Sequence, residues 1–448
     1  MGKLFGTDGV RGIANSELTV ELAYKLGRAG AHTLTSEVHK PRILIGKDTR
    51  VSGDMLESAL CAGVCSVGAE AVMAGIIPTP GVAYLARKYE MDAGIVISAS
   101  HNTVEYNGIK FFDGNGFKLP DAVEERIENI ILHNAEKIPL PTGIDVGRCV
   151  HQKNAAQDYI EFLIGAAPAK FKKLKIVLDC ANGAASSIAP VVFEELKAAV
   201  IPYYSECDGA NINKNCGSTH PQRLQQLVRE HGADIGLAFD GDADRLIAVD
   251  EGGVLVDGDK IMAICALDMM KHGTLKKNTL VTTVMSNFGL DITLLQAGCS
   301  IIKTNVGDRY VLEEMLSGGF NLGGEQSGHI IFLDENTTGD GMLTAIKLLS
   351  IMVSKRKALS ELGSIVKILP QVLVNARITA KNKDAYTKDQ QIMDKISALE
   401  SKYDGNGRVL IRSSGTEPLV RVMIEGADKR EIEHDAAELA CLIEEKLN

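Results

Sequence analysis

The chain has 448 residues, of which 45% are hydrophobic and 24% are charged, and its formal net charge is −10. This composition is typical of a globular protein of roughly three domains at ~150 residues each, and the acidic excess argues against a nucleic-acid partner. No run approaches the length of a membrane span, and the start, MGKLFGTDGVRG, lacks the apolar core of a signal peptide. We therefore expect a cytoplasmic protein with no nucleic-acid and no membrane partner.

The nine cysteines are scattered between Cys61 and Cys441 and include no Cys-x-x-Cys pair. An odd, dispersed set predicts free thiols in a reducing compartment rather than a disulfide framework. Cys61 and Cys65 lie at helical spacing in an apolar stretch, which favours burial.

Apolar runs alternate with amphipathic segments through most of the chain. Thr19 is placed to cap a helix that carries Leu22, Leu26 and Ala29 on one face. Nearly continuous apolar runs, which predict strands covered on both sides, are RILIG from Arg42, GIVIS from Gly94, KIVLD from Lys175, IGLAF from Ile235 and LVTTVM from Leu280. The pattern predicts an α/β fold with parallel or mixed sheets.

The last ~80 residues follow a different pattern, in which a strand with one buried face precedes a long helix. The segment LVRVMIE places Val420, Val422 and Ile424 on one face of a strand. A following helix carries Ile432, Ala436, Leu439 and Ile443. These features predict a smaller C-terminal α+β domain.

Three polar clusters come directly after predicted strands. They are GKDTR (Gly46 to Arg50), SASHN (Ser98 to Asn102) and DGDADR (Asp240 to Arg245). Ligands of doubly wound sheets bind where the carboxyl ends of the strands open into loops, so we expect the clusters to share one site.

The DGDADR cluster predicts a metal site, because Asp240, Asp242 and Asp244 repel one another unless a cation neutralises them. Oxygen ligands favour Mg²⁺, Mn²⁺ or Ca²⁺ over Zn²⁺. An EF-hand is an alternative, but Arg245 stands at its sixth position, where glycine is required, and the loop follows a strand. A solvated acidic turn is the other alternative.

A serine beside a hard cation favours phosphoryl transfer over acyl transfer. Ser100 is the favoured nucleophile, because Ser98 follows the apolar run directly and could simply end the strand. The hydrolase pattern G-x-S-x-G is absent around Ser100. If the segment is strand-like, His101 points away from Ser100, so their adjacency does not indicate a catalytic dyad.

Two further loops predict anion and sugar sites. RSSGTEPLVR offers hydroxyls and a glycine turn between Arg412 and Arg421, which suits a phosphate, although this loop composition is common. GGEQSGH presents Glu325, Ser327 and His329; glutamate is a good acceptor for sugar hydroxyls. The alternatives are a solvated glutamate and a core histidine.

Taken together, the motifs resemble the α-D-phosphohexomutase family across nearly the whole chain. They are, in order, FGTDGVRG, GKDTRVSG, SASHN with NGIKFF, DGDADR, VGDRYV, GGEQSGH, TTGDG and RSSGTEP. The pairing of FGTDGVRG with GGEQSGH is similar to the branch that acts on glucosamine phosphate. Departures from the family pattern are Thr103, where proline is common, and Tyr106, where an acid is usual.

The resemblance implies three related α/β domains with mixed or parallel sheets and a smaller C-terminal α+β domain around a central cleft. We expect the boundaries 1–153 for the phosphoserine-loop domain, 154–253 for the metal-loop domain, 254–369 for the sugar-loop domain and 370–448 for the phosphate-loop domain. It also implies a homodimer and an intramolecular phosphotransferase that passes through a sugar 1,6-bisphosphate.

The resemblance further implies roles for individual residues. Ser100 is a phosphoserine, and one of its phosphate oxygens joins Asp240, Asp242 and Asp244 in binding Mg²⁺. The groups around the transferring phosphoryl are Arg11, Lys110, Arg245 and His101, with His329 placed to assist proton transfer. The substrate-binding residues are Glu325 and Ser327 for sugar hydroxyls and Arg412, Ser413, Ser414, Gly415, Thr416 and Arg421 for the non-reacting phosphate.

Three rival functions remain at this stage. The same chemistry could act on glucose or mannose phosphate. A non-catalytic phosphosugar-binding protein would be expected to lose Ser100 or one of the three aspartates, and all four are present. A serine hydrolase would need a buried acid and a second histidine at the edge of the sheet.

Overall fold

The computed structural model describes residues 4–6, 8–34, 40–134, 138–379, 385–413 and 418–447. The chain divides into two compact units: Met1–Met285 with Gly298–Ile365, and Ser286–Ala297 with Val366–Asn448. Within the described residues, the first unit contains three mixed sheets and the second contains one antiparallel sheet. The predicted α/β fold with a smaller α+β part is confirmed.

The first sheet has a parallel centre and an antiparallel edge. In sheet order its strands are β1 (Val10–Ile13), β5 (Tyr106–Asp113), β4 (Ala93–Ile97), β2 (Arg42–Lys47), β3 (Glu70–Ile76) and β6 (Cys149–His151). Strands β4, β2, β3 and β6 are parallel, and β5 is antiparallel to β4 and β1. Every residue of β4 is buried, as its continuous apolar run predicts.

Helices of this part of the chain cover the sheet. They are α1 (Val20–Leu34), α2 (Ser52–Ser66), α3 (Thr79–Lys88) and α4 (Asp121–Asn129), the last continuing into a π-helical turn, Ile130–Asn134. Thr19 Oγ1 accepts the N–H of Leu22 at 3.2 Å, which confirms the predicted cap of α1. Leu26 and Ala29 on its inner face are buried.

The second sheet repeats the pattern of a parallel centre with an antiparallel edge. Its strands, in sheet order, are β11 (Leu255–Val256), β10 (Leu246–Asp250), β9 (Ile235–Phe239), β7 (Lys175–Asp179) and β8 (Ala199–Tyr203). Strands β8, β7 and β9 are parallel, whereas β10 is antiparallel to β9. The accompanying helices are α5 (Ala155–Gly165), α6 (Ala189–Glu195) and α7 (Gln222–His231).

The third sheet is smaller and is built in the same way. Its strands, in sheet order, are β13 (Ser300–Thr304), β12 (Thr279–Thr283), β14 (Leu322–Gly324) and β15 (Ile330–Phe332). Only the β14–β15 pair is antiparallel among these described strands. The helices of this region are α8 (Gly258–Lys271), α10 (Asp308–Gly318), α11 (Gly341–Lys355) and α12 (Leu359–Gly363).

The second unit has its own core and an antiparallel sheet. It contains α9 (Phe288–Gln296), β16 (Gln371–Arg377), α13 (Gln390–Tyr403), β17 (Arg408–Ser413), β18 (Leu419–Glu425) and α14 (Lys429–Leu447). Strand β18 lies between β16 and β17. The predicted inward residues Val420, Val422 and Ile424 are buried with Ile432 and Leu439 of α14.

Among the described residues, the structure contains no helix long and apolar enough to cross a membrane. All nine cysteines fall within these residues and all are free thiols. Cys61 is buried and Cys65 is half-buried, which agrees with their position in an apolar helical stretch.

Candidate active site

The loops after β4 and β9 bring Ser100 against the three aspartates. The hydroxyl of Ser100 donates to Asp240 Oδ2 at 2.7 Å. Ser100 is buried, and its backbone has a left-handed φ of 51°. This conformation costs of order 1–3 kcal/mol for a residue other than glycine and occurs preferentially at functional sites. The close approach also requires Gly241, because a Cβ there would lie 2.6 Å from the Ser100 carbonyl oxygen.

A buried arginine holds the serine loop in place. Arg50 Nε donates to Asp48 Oδ2 at 2.9 Å, and both side chains are fully buried. The other guanidinium nitrogens donate to the carbonyl oxygens of Ser100, Asn102, Thr103 and Tyr106. Asn213 adds a second clamp, donating to the carbonyls of Ser100 and Asn102 at 2.8 and 2.9 Å. The two positions that depart from the family pattern are therefore fixed through their carbonyl groups.

Asp240, Asp242 and Asp244 are buried and offer ligand oxygens within 4.8 Å of one another. Within the described residues, Asp242 Oδ1 and Asp244 Oδ1 are buried without a hydrogen-bonding partner. Orphaned buried carboxylate oxygens are costly unless a cation binds them. The three-aspartate cluster therefore fits a hard, oxygen-seeking cation, and the predicted metal-binding loop becomes a candidate metal site.

The pKa values of two of these aspartates move in opposite directions. Burial, reinforced by the neighbouring charges of Asp244 and Asp242, raises the pKa of Asp240 well above its usual range. Burial also acts to raise the pKa of Asp244, but His329 and Lys110 outweigh it and hold that pKa well below the usual range.

Three predicted cations surround the aspartates. Lys110 Nζ contacts Asp242 Oδ2 and Asp8 Oδ2, each at 2.9 Å. Arg245 Nε lies 3.9 Å from Asp240 and 3.8 Å from Asp244. Arg11 pairs with Asp8 and lines the same cavity as Arg245. Such a group of fixed positive charges is suited to stabilising the charge of a phosphoryl group in transfer.

The expectation that His101 points away from Ser100 is wrong. His101 Nδ1 lies 3.3 Å from Ser100 Oγ, because the strand ends at Ile97 and Ser100 turns the chain with its left-handed φ. Burial, together with Arg245 and Arg11, lowers the pKa of His101 to about 4. Its ring is therefore neutral near pH 7, and the hydroxyl proton of Ser100 is directed at Asp240.

His329 is buried, with both ring nitrogens next to polar groups. Its Nδ1 lies 3.5 Å from Asp244 Oδ2. The amide N–H of Gly339 approaches Nε2 at 3.0 Å, so Nδ1 is the nitrogen placed to donate to Asp244. Burial acts to lower the pKa of His329, but the charges of Asp244 and Asp308 outweigh it and raise that pKa. This arrangement orients Asp244. The proton-transfer role of His329 stays a prediction.

A polar cavity of about 470 Å³ opens beside the cluster. Glu325 lies in its wall, and Glu325 Oε1 accepts the N–H of Gly307 at 3.1 Å. The turn that carries Glu325 packs closely on β10, since a Cβ at Gly328 would lie 2.1 Å from the Leu246 carbonyl oxygen. Ser327 is exposed in this turn and is not among the described residues that line the cavity, so its role stays a prediction.

Sequence reasoning missed a chain of ion pairs along the wall of this cavity. Asp8 contacts Arg11, Lys110 and Lys118, and Lys118 in turn contacts Asp308. Asp8 and Asp308 stand within the quoted motifs FGTDGVRG and VGDRYV, which was the only available signal. Lys118 lies outside all of the motifs, as do Thr79 and Asn213, which also reach the site.

The predicted phosphate loop belongs to the second unit. Arg412 on β17 lies opposite Arg421 on β18, and Ser413 is the last residue of β17. Burial and the neighbouring charge of Arg421 lower the pKa of Arg412. Two guanidinium groups side by side favour a bound anion. The predicted residues Ser414, Gly415 and Thr416 lie outside the described residues.

The α/β fold and the three-aspartate cluster together define a class of enzymes with a buried serine beside a site for a hard cation. Comparison with known families identifies which family this is. Profiles described as phosphoglucomutase/phosphomannomutase α/β/α domains I, II and III match residues 2–137, 157–253 and 257–368, and the C-terminal domain profile matches residues 373–441. The chain belongs to this family, the α-D-phosphohexomutases, as its motifs indicate.

Several curated relatives align with the chain from end to end. Proteins named phosphoglucosamine mutase from Caldanaerobacter subterraneus subsp. tengcongensis and Acetivibrio thermocellus are 61% and 60% identical to it over 448 residues, covering 100% of both chains in each case. One from Clostridium acetobutylicum is 59% identical over the same length.

Solved structures with lower identity share the fold. A phosphoglucomutase/phosphomannomutase family protein from Burkholderia thailandensis has a TM-score of 0.81 at 24% identity, covering 99% of this chain and 98% of its own. N-acetylphosphoglucosamine mutase from Aspergillus fumigatus, in complex with GlcNAc-6P and magnesium, has a TM-score of 0.71 at 19% identity, covering 100% and 96%.

Proposed function

We propose that this protein interconverts glucosamine 6-phosphate and glucosamine 1-phosphate. The observation that carries the proposal is the buried Ser100 hydroxyl, 2.7 Å from Asp240 in a cluster with orphaned carboxylate oxygens. The full-length relatives at about 60% identity, named phosphoglucosamine mutase, support the choice of sugar. In the cytoplasm, the product would be used to make UDP-N-acetylglucosamine, which is a precursor of the cell wall.

In this scheme, Ser100 carries a phosphoryl group in the resting enzyme. The free hydroxyl of the bound sugar monophosphate attacks that phosphorus and gives up its proton, the bond from phosphorus to Ser100 Oγ breaks, Oγ takes up a proton, and a 1,6-bisphosphate forms. After the intermediate turns over, Ser100 Oγ attacks its other phosphorus, the bond from that phosphorus to the sugar oxygen breaks, and the isomeric monophosphate leaves with a proton on the freed oxygen. The proton that Oγ must lose in this second step is already directed at Asp240.

We propose Mg²⁺ as the cation, held by Asp240, Asp242 and Asp244. All the ligand atoms are carboxylate oxygens, the ligands that Mg²⁺ prefers. When bound, the ion would offset negative charge on phosphoryl oxygens. The surrounding side chains Arg11, Lys110, Arg245 and His101 would orient the same oxygens and exclude water.

We propose that the sugar hydroxyls are bound by Glu325 and Ser327. Glu325 lies in the wall of the polar cavity, so its carboxylate is accessible to a ligand there. His329 would keep Asp244 oriented for the metal.

The non-reacting phosphate would be bound by the loop between β17 and β18. The residues proposed for it are Arg412, Ser413, Ser414, Gly415, Thr416 and Arg421. Each end of the bisphosphate must occupy this loop in turn, so the loop should recognise phosphate rather than one carbon of the sugar.

We also propose the domain boundaries 1–153, 154–253, 254–369 and 370–448. The residue ranges of the four family profiles support them. A homodimer remains part of the proposal and would be tested by light scattering.

The test is a comparison of kcat/KM for glucosamine 6-phosphate, glucose 6-phosphate and mannose 6-phosphate, with a trace of the matching 1,6-bisphosphate as primer. We expect the amino sugar to be turned over fastest. A higher kcat/KM for glucose or mannose phosphate would overturn the choice of substrate.

The nucleophile is tested by Ser100→Ala, with Ser98→Ala as the matched control. Ser100→Ala should abolish turnover and remove the added mass of one phosphate from the Ser100 peptide. Ser98→Ala should keep that phosphate. Near-normal turnover by Ser100→Ala would defeat the mechanism.

A further inference from the structure

Asp308 is an acidic residue in the wall of the active-site cavity to which the proposed chemistry gives no role. It is the first residue of α10 and lines the cavity together with Glu325 and Arg245. Its side chain keeps 16% of its surface exposed, against 5% for Asp244 in the metal cluster. A ligand in the cavity can therefore reach Asp308.

Buried ion pairs fix the orientation of this carboxylate. Asp308 Oδ2 pairs with Lys118, and Lys118 Nζ also contacts Asp8 Oδ1 at 2.6 Å. The same Oδ2 lies 3.5 Å from His329 Nε2. These contacts of Asp308 with Lys118 and His329 are all made through Oδ2. One lysine is thus shared between two acids, and Oδ1 of Asp308 takes part in none of these contacts.

Asp308 is adjacent to the predicted binding group for sugar hydroxyls. The N–H of Gly307, the preceding residue, donates to Glu325 Oε1 at 3.1 Å. A sugar whose hydroxyls bind Glu325 would therefore place its neighbouring ring substituents near Asp308. In glucosamine phosphate one of these substituents is an ammonium group, whereas in glucose or mannose phosphate it is a neutral hydroxyl.

We propose that the Asp308 carboxylate binds the ammonium group at C2 of glucosamine phosphate and thereby makes the site prefer the amino sugar. This inference rests on the proposed function and adds the residue that sets its specificity. A charge-assisted hydrogen bond from an ammonium is roughly twice as strong as one from a neutral hydroxyl. Of the other carboxylates that line the cavity, Asp244 belongs to the proposed metal site, Glu325 is assigned to the sugar hydroxyls, and Asp8 is shared by three cations, Arg11, Lys110 and Lys118.

The test uses Asp308→Asn, which keeps the size of the side chain and an oxygen for Lys118. We expect the ratio of kcat/KM for glucosamine 6-phosphate to that for glucose 6-phosphate to fall by ~10–100-fold, because the variant loses an interaction with a charged donor. Asp308→Glu, which restores the charge, should recover part of the ratio. N-acetylglucosamine 6-phosphate, whose C2 nitrogen is uncharged, should be nearly insensitive to Asp308→Asn.

Glu325→Gln is the matched control, because it removes a carboxylate from the same cavity. It should lower kcat/KM for both sugars alike and change their ratio by less than about 3-fold, since both sugars present hydroxyls to this group. Equal losses on the two sugars in Asp308→Asn, or no loss, would overturn the specificity role of Asp308.

A binding measurement separates this inference from the proposed function. In a Ser100→Ala background, which cannot turn over, calorimetric titration with glucosamine 6-phosphate and glucose 6-phosphate gives the binding ratio directly. Adding Asp308→Asn should reduce that ratio by the same ~10–100-fold. An unchanged ratio overturns the inference, whereas failure of the wild-type enzyme to turn over glucosamine 6-phosphate refutes the proposed function.

Discussion

Replacement of Arg50 is expected to destabilise the serine loop more than any exposed arginine replacement would. Arg50 is fully buried and pairs with Asp48, which is equally buried. Breaking a buried ion pair by removing one partner costs about 3–5 kcal/mol, because it leaves an uncompensated charge. Arg50→Ala also removes a hydrogen-bond donor from four carbonyl oxygens of the loop. Those of Ser100 and Asn102 keep the donor Asn213. We expect a loss of ~3–5 kcal/mol in unfolding free energy and a large fall in kcat.

The loss should depend on pH. Burial already raises the pKa of Asp48, although Arg50 beside it acts to lower that pKa. Without Arg50 the carboxyl should take up a proton instead of remaining charged, which limits the cost in acid. The destabilisation by Arg50→Ala should therefore be smaller at pH 5 than at pH 8.

Three further variants separate charge from hydrogen-bond geometry. Arg50→Lys keeps the positive charge but loses the planar fork of donors, so it should lose ~1–3 kcal/mol. The pair Asp48→Asn with Arg50→Met should be less unstable than Arg50→Ala, because no charge is left unpaired. Arg223→Ala is the exposed control, whose partner Glu230 lies 2.9 Å away, and it should leave the unfolding free energy nearly unchanged because solvent screens this surface ion pair.

The assay combines urea unfolding with hydrogen exchange of the peptide that covers residues 98–107. Exchange reports opening of the loop itself, which matters in a chain with more than one compact unit. Equal stability and equal exchange protection in Arg50→Ala and Arg223→Ala would show that Arg50 does not hold the loop.

Two other predictions concern the metal cluster and a buried acid. At a Mg²⁺ concentration 100 times its Kd, the wild-type protein should gain about 2.7 kcal/mol of stability, which raises its Tm. Asp242→Asn should lose most of this rise in Tm. A full rise in the variant would show that Asp242 does not bind the metal. Burial raises the pKa of Asp340 from 3.8 to about 6. The folded state then binds more protons than the unfolded state between these values, so wild-type stability should fall by up to ~3 kcal/mol as pH rises from 4 to 6. Asp340→Asn should lack this fall in urea titrations, and parallel pH curves would contradict the assignment.

The central strands of the three mixed sheets were predictable because they are buried on both faces. The apolar runs at Arg42, Lys175 and Ile235 each form a strand whose centre is buried, since a short run that is apolar at nearly every position suits a strand covered on both faces. The grouping of α9 with the C-terminal residues was not predictable. Its apolar positions indicate that the helix packs on something, but they do not identify the partner.

The residues of the site also differ in whether their contacts could be predicted: contacts between neighbours in sequence could, and contacts between distant residues could not. The three aspartates are close in sequence, so their mutual repulsion and need for a cation could be inferred directly. Lys118 is 110 residues from Asp8 and 190 from Asp308, and both contacts depend on how the sheets are placed. A lone lysine outside any motif carries no local sign of such a partner.

The orientation of His101 was predicted wrongly because strand geometry was extended too far along the chain. In a strand, neighbouring side chains point to opposite faces, but β4 ends at Ile97 and Ser100 has φ 51°. A serine in this conformation persists only where its surroundings outweigh the strain of order 1–3 kcal/mol. Arg50 and Asn213 supply that compensation through the carbonyl groups of the loop, each hydrogen bond contributing about 0.5–1.5 kcal/mol. The arginine thus does by hydrogen bonding what a proline at position 103 would do by ring closure: it holds the nucleophile in one conformation before substrate arrives.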